Sequence, residues 1–485
     1  MKTMQLDSLK KLYFLGIGGI GMSAIARYFN DRGCEIYGYD RTETTLTKKL
    51  VAEGMKIHYE ENTELIPPGI DLVVWTPAVP VEHAEWQFFK KAGTPMMKRA
   101  EVLGLISRNH RTIAVAGTHG KTTTSSMVAH LLHSGGISCM AFLGGICENF
   151  GSNYVAGNSD WVVVEADEYD RSFLHLSPDI AILLSADPDH LDIYGDPEQV
   201  MKSGFAAFLG KVKPGGKILM KAELTGHFES IQCQTFGLEK GDFSARNVRV
   251  NDGHFVFDFA APASFVSGEA TPASGRSAKR SRSCDETLWE NMALPMPGRH
   301  NVENAAAALA VACQLGIGEE ALRKGLVTFK GIKRRFEMIY RDEHCVYFDD
   351  YAHHPTELRS AIGAAKELLP GRKVTGIFQP HLYSRTRDFA DGFAEALDQL
   401  DEVILLDIYP AREKPIAGVS SAIIFDRMQN PNKVLIRKEE ALGELAKREV
   451  DVLLTLGAGD IDTLVEPIKE LLKQRKESAG AKRSK

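Results

Sequence analysis

Two glycine-rich turns carry the strongest chemical signal in the sequence. Residues 16–21 read GIGGIG and match the G-x-G-x-x-G pattern, in which backbone N–H groups approach a diphosphate at a helix N-terminus. Residues 117–123 read GTHGKTT and resemble a phosphate loop for ATP, although Val115 stands where the strict pattern has its first glycine. A dehydrogenase does not need the second turn, and an ATPase does not need the first. The two turns alone therefore do not identify the ligand of the first turn, and the remaining residues are needed to identify it.

The second turn offers the groups that ATP and Mg²⁺ require. A helix that begins at this turn aims its N–H groups and the positive end of its dipole at the phosphates. Lys121 can reach the terminal phosphates, and the Thr122 hydroxyl can meet Mg²⁺. The alternative is a glycine turn before an ordinary helix, but the run GKTTT is hard to explain in that way.

Acidic residues and a histidine follow two apolar runs of the same region. Ligands bind at the carboxyl ends of strands in open α/β sheets, so these residues are candidates for holding a metal ion on ATP phosphates. Glu165 and Asp167 would share one face of an extended segment, and His190 follows the next apolar run. The alternatives are a solvated acidic turn and a structural histidine.

Two further apolar runs, in the last third of the chain, also end in polar side chains. Asp350 and Tyr351 follow the first of them, and His381 and Arg385 follow the second. An arginine at such a position suits a carboxylate or a phosphate, which it can bind through two parallel hydrogen bonds. Salt-bridged surface loops are the alternative for both segments.

The elements that must position these residues alternate between strand and helix along the chain. Such alternation predicts βαβ units and parallel sheets with helices on their faces. The units fall into three series, and we expect three α/β domains at residues 1–108, 109–329 and 330–485. Small, polar and basic residues dominate 261–286, which we expect to be a flexible insert.

The composition is that of a globular protein. The 485 residues are 44% hydrophobic and 25% charged, and the formal net charge of −6 does not indicate a nucleic-acid or membrane binder. The seven cysteines are scattered and form no CxxC pair, which is typical of reduced thiols in the cytosol. We expect a cytoplasmic monomer or homodimer with no nucleic-acid partner and no stable membrane insertion.

Eight short motifs, in order along nearly the whole chain, resemble those of the Mur ligase family. They are GIGGIGMS from Gly16, GTHGKTTT from Gly117, EADE from Glu165, DHLD from Asp189, GRHNVEN from Gly298, RRFE from Arg334, DDYAHHP from Asp349 and YPAREKP from Tyr409. Each motif is modest alone, but eight of them in this order are specific. The resemblance implies a Rossmann-like UDP-binding domain, a central P-loop ATPase-like domain and a C-terminal Rossmann-like domain.

The resemblance also implies a reaction of peptidoglycan precursor synthesis. Within the family, the motifs look most like those of the member that joins L-alanine to UDP-N-acetylmuramate. ATP would phosphorylate the lactyl carboxylate of UDP-N-acetylmuramate, and the amine of L-alanine would attack the acyl phosphate. The first glycine turn would then bind the diphosphate of UDP rather than that of NAD.

The site residues follow from the same resemblance, position by position. The residues implied to bind ATP are Gly117, Thr118, His119, Gly120, Lys121, Thr122, Thr123, Asn301, Asn304, Arg335 and Asp350. Those implied to bind the UDP-sugar are Gly18, Gly19, Ile20, Gly21, Asp40, Thr76, Ala78 and His119. L-alanine would bind Tyr351, His381 and Arg385, and Mg²⁺ would bind Thr122, Glu165 and His190. The residues implied in catalysis are Lys121, Glu165, His190, Arg335 and Asp350.

Three positions depart from the patterns common in the family. Ser185 stands where relatives often carry asparagine, Leu382 where many carry a basic residue, and Arg412 where glycine is common. Some sister ligases use a carbamylated lysine, but the corresponding place here is near Phe205, so we expect no such modification. The alternatives to the alanine-adding ligase are a ligase that attaches a recycled tripeptide, an NAD-dependent oxidoreductase and an inactive nucleotide sensor.

Overall fold

The computed structural model describes residues 6–187, 204–251, 254–266, 286–411 and 413–483. Within these ranges the strands form three sheets, of five, ten and six strands. The chain divides into two compact units, one made of residues 1–247, 257–293 and 302–330 and the other of residues 248–256, 294–301 and 331–485. The predicted α/β class with three domains is confirmed, and the boundaries near 108 and 330 stay predictions.

The first sheet is parallel, in the order β3-β2-β1-β4-β5. Its strands are β1 (Lys11–Leu15), β2 (Glu35–Tyr39), β3 (Lys56–His58), β4 (Leu72–Trp75) and β5 (Met96–Lys98). Its helices are α1 (Ile20–Asp31), α2 (Thr45–Ala52), α3 (Ala84–Ala92) and α4 (Arg99–Asn109). The strand order reverses between β1 and β4. The carboxyl ends of these two strands therefore form the crevice in which open α/β sheets bind ligands.

The second sheet is larger and has β6 near its middle, in the order β15-β14-β13-β12-β11-β10-β6-β9-β7-β8. Its strands are β6 (Arg111–Ala116), β7 (Met140–Cys147), β8 (Ser152–Val155), β9 (Trp161–Ala166), β10 (Ile180–Leu183), β11 (Lys217–Lys221), β12 (Gln234–Leu238), β13 (Phe243–Asn251), β14 (His254–Pro262) and β15 (Glu286–Leu294). The helices are α5 (Lys121–Ser134), α6 (Ala207–Leu209), α7 (Ala263–Val266), α8 (Arg299–Gln314) and α9 (Glu319–Thr328). Strand β6 is parallel to β9 and to β10, so the segments that follow these three strands meet at one edge.

The predicted flexible insert at 261–286 is partly wrong. Strand β14 continues to Pro262, α7 follows it directly, and β15 begins at Glu286. Ladder pairing carries the strand past the point where small residues begin, and local composition does not show such pairing. Residues 267–285 lie outside the described residues.

The third sheet is parallel except for its first strand, in the order β16-β17-β21-β18-β19-β20. Its strands are β16 (Glu337–Arg341), β17 (Val346–Asp350), β18 (Val374–Phe378), β19 (Glu402–Leu406), β20 (Lys433–Ile436) and β21 (Val452–Leu456). Its helices are α10 (Pro355–Leu368), α11 (Tyr383–Asp388), α12 (Ala390–Leu397), α13 (Ala422–Phe425), α14 (Ala441–Ala446) and α15 (Val465–Arg483). Throughout the described ranges, no helix is both long and apolar enough to cross a membrane.

Candidate active site

The second glycine turn joins strand β6 to helix α5, as the sequence predicted. Gly120 caps the helix with a φ of +82°, a conformation that L side chains rarely adopt. A Cβ at this position would lie 2.6 Å from Oδ1 of Asn304, so the glycine also admits that side chain. Asn304, which the motifs implied in ATP binding, therefore lies against the turn.

Lys121 is the first residue of α5 and lies almost buried at the turn, with 13% of its side chain exposed. Its Nζ donates to the carbonyl of Gly117 at 2.8 Å and lies 2.8 and 3.0 Å from the two carboxylate oxygens of Glu168. Burial lowers the pKa of Lys121, but the carboxylates of Glu168, Asp167 and Glu165 outweigh it and the net shift is upward. The lysine is therefore an ammonium ion held beside the place where phosphates would bind.

Glu168 is the partner that the sequence did not single out. Its side chain is 4% exposed, and burial raises the pKa of its carboxyl while the Lys121 ammonium opposes that rise. Glu168 precedes the 3₁₀ turn Tyr169–His175 that follows β9. The signal was present in the acidic run at the end of β9, but four acids occur between residues 165 and 170 and the run does not say which one meets the lysine.

The segment after β10 forms hydrogen bonds with the second glycine turn. The Ser185 hydroxyl accepts the N–H of His119 at 2.8 Å, and the Thr118 hydroxyl donates to the carbonyl of Asp187 at 2.9 Å. Nε2 of His119 lies 3.6 Å from a carboxylate oxygen of Asp187. The departure at Ser185 thus has a structural role, because its hydroxyl ties the phosphate loop to the neighbouring strand end.

Glu165 faces a cavity of about 150 Å³ at the edge of the second sheet. Its Oε2 accepts the N–H of Gly144 on β7 at 3.0 Å, and a Cβ on that glycine would lie 2.3 Å from the carboxylate. Asp167 lines the same cavity, in agreement with the predicted shared face. The cavity walls are Ile20, Gly21, Ala24, Ile25, Arg99, Leu103, Phe142, Leu143, Gly144, Glu165 and Asp167. It therefore joins the first turn of α1 to the acidic end of β9.

The first glycine turn lies between β1 and α1, beside the end of β4. The carboxylate of Asp40, at the end of β2, accepts the N–H of Gly18 at 2.7 Å. Thr76 follows β4, and its hydroxyl accepts the N–H of Ala78 at 3.4 Å. Gly19 caps α1 and Ile20 begins it. Of the residues implied in UDP-sugar binding, Gly18, Gly19, Asp40, Thr76 and Ala78 thus lie around the first turn, whereas His119 lies at the second.

Asn153 anchors the first turn of α1 to the second sheet. The fully buried side chain of Asn153 donates to the Ser23 hydroxyl at 3.0 Å and to the carbonyl of Ile20. Arg27 donates to the same amide and forms a two-pronged pair with Glu53, both N–O distances being 2.7 Å. This contact was missed because nothing local marks a buried asparagine as a partner of a helix in another domain.

In the C-terminal unit, Asp350 and Arg335 lie near one another at the end of β17. The Asp350 carboxylate accepts the N–H groups of Phe336 at 2.6 Å and Ala352 at 2.7 Å. Burial raises the pKa of Asp350 to about 7, with the charge of Arg335 opposing the rise. The guanidinium of Arg335 lies 5.4 Å from the ring centre of Tyr351 and 3.9 Å from a carboxylate oxygen of Glu357.

The three residues implied in alanine binding lie around a cluster of rings. The Tyr351 and His353 rings are 5.3 Å apart, and His381 stacks on Tyr409 at 5.9 Å. Burial lowers the pKa of His353, whereas the Glu357 carboxylate opposes this shift and the charge of Arg385 adds to it. The rings of Tyr351, His353, His381 and Tyr409 therefore form one cluster beside the Arg335 guanidinium.

The remaining predicted residues are placed as follows. Thr122 and Thr123 are buried in the first turn of α5. Asn301 lies in the C-terminal unit and donates to the carbonyl of Pro297 at 2.6 Å. His190 and Arg412 lie outside the described residues. In the portion of the chain that is described, no three His, Cys, Asp or Glu side chains group as a preformed metal site.

Models of three protein-domain families match the chain in succession. The Mur ligase family catalytic domain matches residues 11–111, the Mur ligase middle domain residues 115–312, and the Mur ligase glutamate ligase domain residues 334–459.

Several related proteins align with almost the whole chain. The UDP-N-acetylmuramate–L-alanine ligase of Parabacteroides distasonis is 48% identical, with 97% of this chain and 98% of the relative aligned. That of Flavobacterium johnsoniae is 45% identical, with 97% and 100% aligned. The crystal structure of UDP-N-acetylmuramate-alanine ligase MurC from Thermotoga maritima is 30% identical, with a TM-score of 0.77 over 96% of this chain and 99% of that one. A murein peptide ligase from Psychrobacter arcticus shares the fold at 22% identity and a TM-score of 0.66, with 96% and 98% covered. The three domain models and these relatives show that the chain belongs to the Mur ligase family.

Proposed function

We propose that the protein joins L-alanine to the lactyl carboxylate of UDP-N-acetylmuramate, with ATP converted to ADP and phosphate. The observation that carries this proposal is the cavity at the edge of the second sheet. Glu165 lines it from one side and the first turn of α1 from the other, and Lys121 follows the strand next to that of Glu165. A substrate bound at the first glycine turn could therefore extend toward a phosphoryl donor at the second.

The chemistry requires two anions, a carboxylate and a triphosphate, to approach one another. The Lys121 ammonium would stabilise the negative charge that develops on the transferring phosphoryl group. Thr122 and Glu165 would hold Mg²⁺, which supplies further charge neutralisation when bound. The residues fit that ion because a hydroxyl and a carboxylate are oxygen ligands of the kind that Mg²⁺ prefers. His190 stays a predicted ligand.

The C-terminal unit would bring the amine. Tyr351, His381 and Arg385 would bind L-alanine, with the Arg385 guanidinium on its carboxylate. Arg335 and Asp350 would contact ATP. The amine then attacks the acyl phosphate carbon, the tetrahedral adduct expels phosphate, and an amide remains. We propose that this occurs in the cytoplasm, in a monomer or homodimer with no nucleic-acid partner.

The decisive experiment follows phosphate release with ATP, Mg²⁺, each amine and either of two acceptors. We expect turnover with UDP-N-acetylmuramate plus L-alanine and none with UDP-N-acetylglucosamine, which lacks the lactyl carboxylate. With ¹⁸O in that carboxylate, one labelled oxygen should leave in the phosphate, since an acyl phosphate forms. UDP should compete with the acceptor and NAD should not. Turnover with a tripeptide but not with L-alanine would instead identify a recycling ligase.

A further inference from the structure

Arg99 is a partly buried cation that the motifs and the proposed chemistry leave without a role. It is the first residue of α4, and its side chain is 23% exposed. It lines the cavity that also contains Glu165 and Asp167. Its Nη2 lies 3.7 Å from an oxygen of Asp167, which is longer than a hydrogen bond, so this pair is looser than a bidentate arginine–carboxylate pair.

The third glycine of the first turn makes room for this arginine. A Cβ at Gly21 would lie 2.7 Å from Nη1 of Arg99 and 3.1 Å from its Cδ. In dinucleotide-binding folds the third glycine is explained by close packing of helix and strand. Here the neighbour is a guanidinium, which therefore rests on the first turn of α1, where the helix dipole is also positive.

Groups of both charges line the cavity, and its size limits what can enter. Arg99 and the first turn of α1 line it together with the carboxylates of Glu165 and Asp167. Pockets for small molecules and cofactors usually enclose about 300–1,000 Å³. At about 150 Å³, this cavity is too small for a diphosphate with its nucleoside but large enough for a carboxylate on a short side group.

We infer that Arg99 binds the carboxylate of the acceptor and holds it beside Glu165. This inference rests on the proposed function and adds a substrate-binding residue to it. Asp167 is the group that the incoming carboxylate replaces at the guanidinium. The acceptor diphosphate stays at the first glycine turn. Arg99 therefore binds the lactyl carboxylate, which distinguishes UDP-N-acetylmuramate from UDP-N-acetylglucosamine.

The test measures binding by calorimetry without ATP, for UDP-N-acetylmuramate, UDP-N-acetylglucosamine and UDP. In Arg99→Gln we expect the affinity for UDP-N-acetylmuramate to fall roughly 10- to 100-fold, which is what loss of a charged hydrogen-bonded pair costs. Affinity for the other two ligands should stay within about twofold, since neither carries the carboxylate. Arg108→Gln is the matched control, because it removes the same charge from an exposed position of the same helix and should change nothing.

Three results would overturn the inference. Equal loss of affinity for all three ligands would place Arg99 on the diphosphate or in a structural role. Unchanged binding of UDP-N-acetylmuramate would remove Arg99 from the site. If Arg99→Gln does not fold, Arg99→Lys should bind UDP-N-acetylmuramate several-fold more weakly and the other two normally, and normal binding of all three would again refute the role. Failure of the proposed function is distinguishable, because the unmodified protein would then not bind UDP-N-acetylmuramate in preference to UDP.

Discussion

The Lys121–Glu168 pair allows folding and catalysis to be separated by mutation. In Lys121→Met the carboxylate of Glu168, 4% exposed, loses the ammonium that lies 2.8 Å away. Breaking a buried ion pair by removing one partner costs about 3–5 kcal/mol, because a charge is left uncompensated. At roughly 2–4 °C per kcal/mol for a domain of this size class, Tm should fall by roughly 6–20 °C.

The double variant Lys121→Met/Glu168→Gln should recover most of this loss. Replacing both members of a buried pair by neutral groups of similar volume is often neutral for stability. Turnover should not recover, since the missing ammonium still leaves the transferring phosphoryl group less stabilised, by on the order of 10²–10³ in rate. Thermal unfolding followed by circular dichroism and the phosphate-release assay report the two quantities separately.

Lys240→Met is the matched control, since Lys240 and Glu223 form an exposed pair at 3.4 Å with 67% and 41% of their side chains accessible. Loss of such a pair should cost about 0–1 kcal/mol and leave turnover unchanged. The reasoning fails on stability if Lys121→Met melts like this control. It fails on mechanism if the double variant regains normal turnover.

Two further predictions concern pH and magnesium. Burial raises the pKa of Asp350 from 3.8 to about 7. Between these two pH values the Asp350 carboxyl is protonated in the folded C-terminal unit but ionised in the unfolded chain. Its stability should therefore fall as pH rises from about 4 to about 7, and Asp350→Asn should reduce this slope in urea unfolding; an unchanged slope would contradict the assignment. Gly144→Ala should displace the Glu165 carboxylate, lower turnover on the order of 10²-fold and raise the Mg²⁺ concentration needed for half-maximal rate. Gly363→Ala is the control, because Gly363 is an exposed helical residue with open space around it. It should keep full turnover and gain about 0.5–1 kcal/mol of stability. An equal loss of turnover in both variants would refute the clash at Glu165.

Most of the strands that position the site could be predicted from the sequence. The two apolar runs expected before the acidic residues and before His190 correspond to β9 and β10, and the second glycine turn follows β6. These strands are largely buried on both faces, so they read as continuous apolar runs. The antiparallel edge strand β16 was not predicted, since its side chains are only partly buried and its pairing with β17 depends on a neighbour.

The sequence by itself determined which groups are available and which backbone turns present them. Glycine turns, a lysine at a helix start and acids after an apolar strand are local features. They can be predicted because local backbone conformation depends on the types of neighbouring residues. It could not choose which of the acids after β9 meets Lys121, nor connect Arg99 with Gly21. Only the tertiary structure decided these pairings. Electrostatic and steric interactions depend on distance in space, and the chain folds these groups together from separate elements.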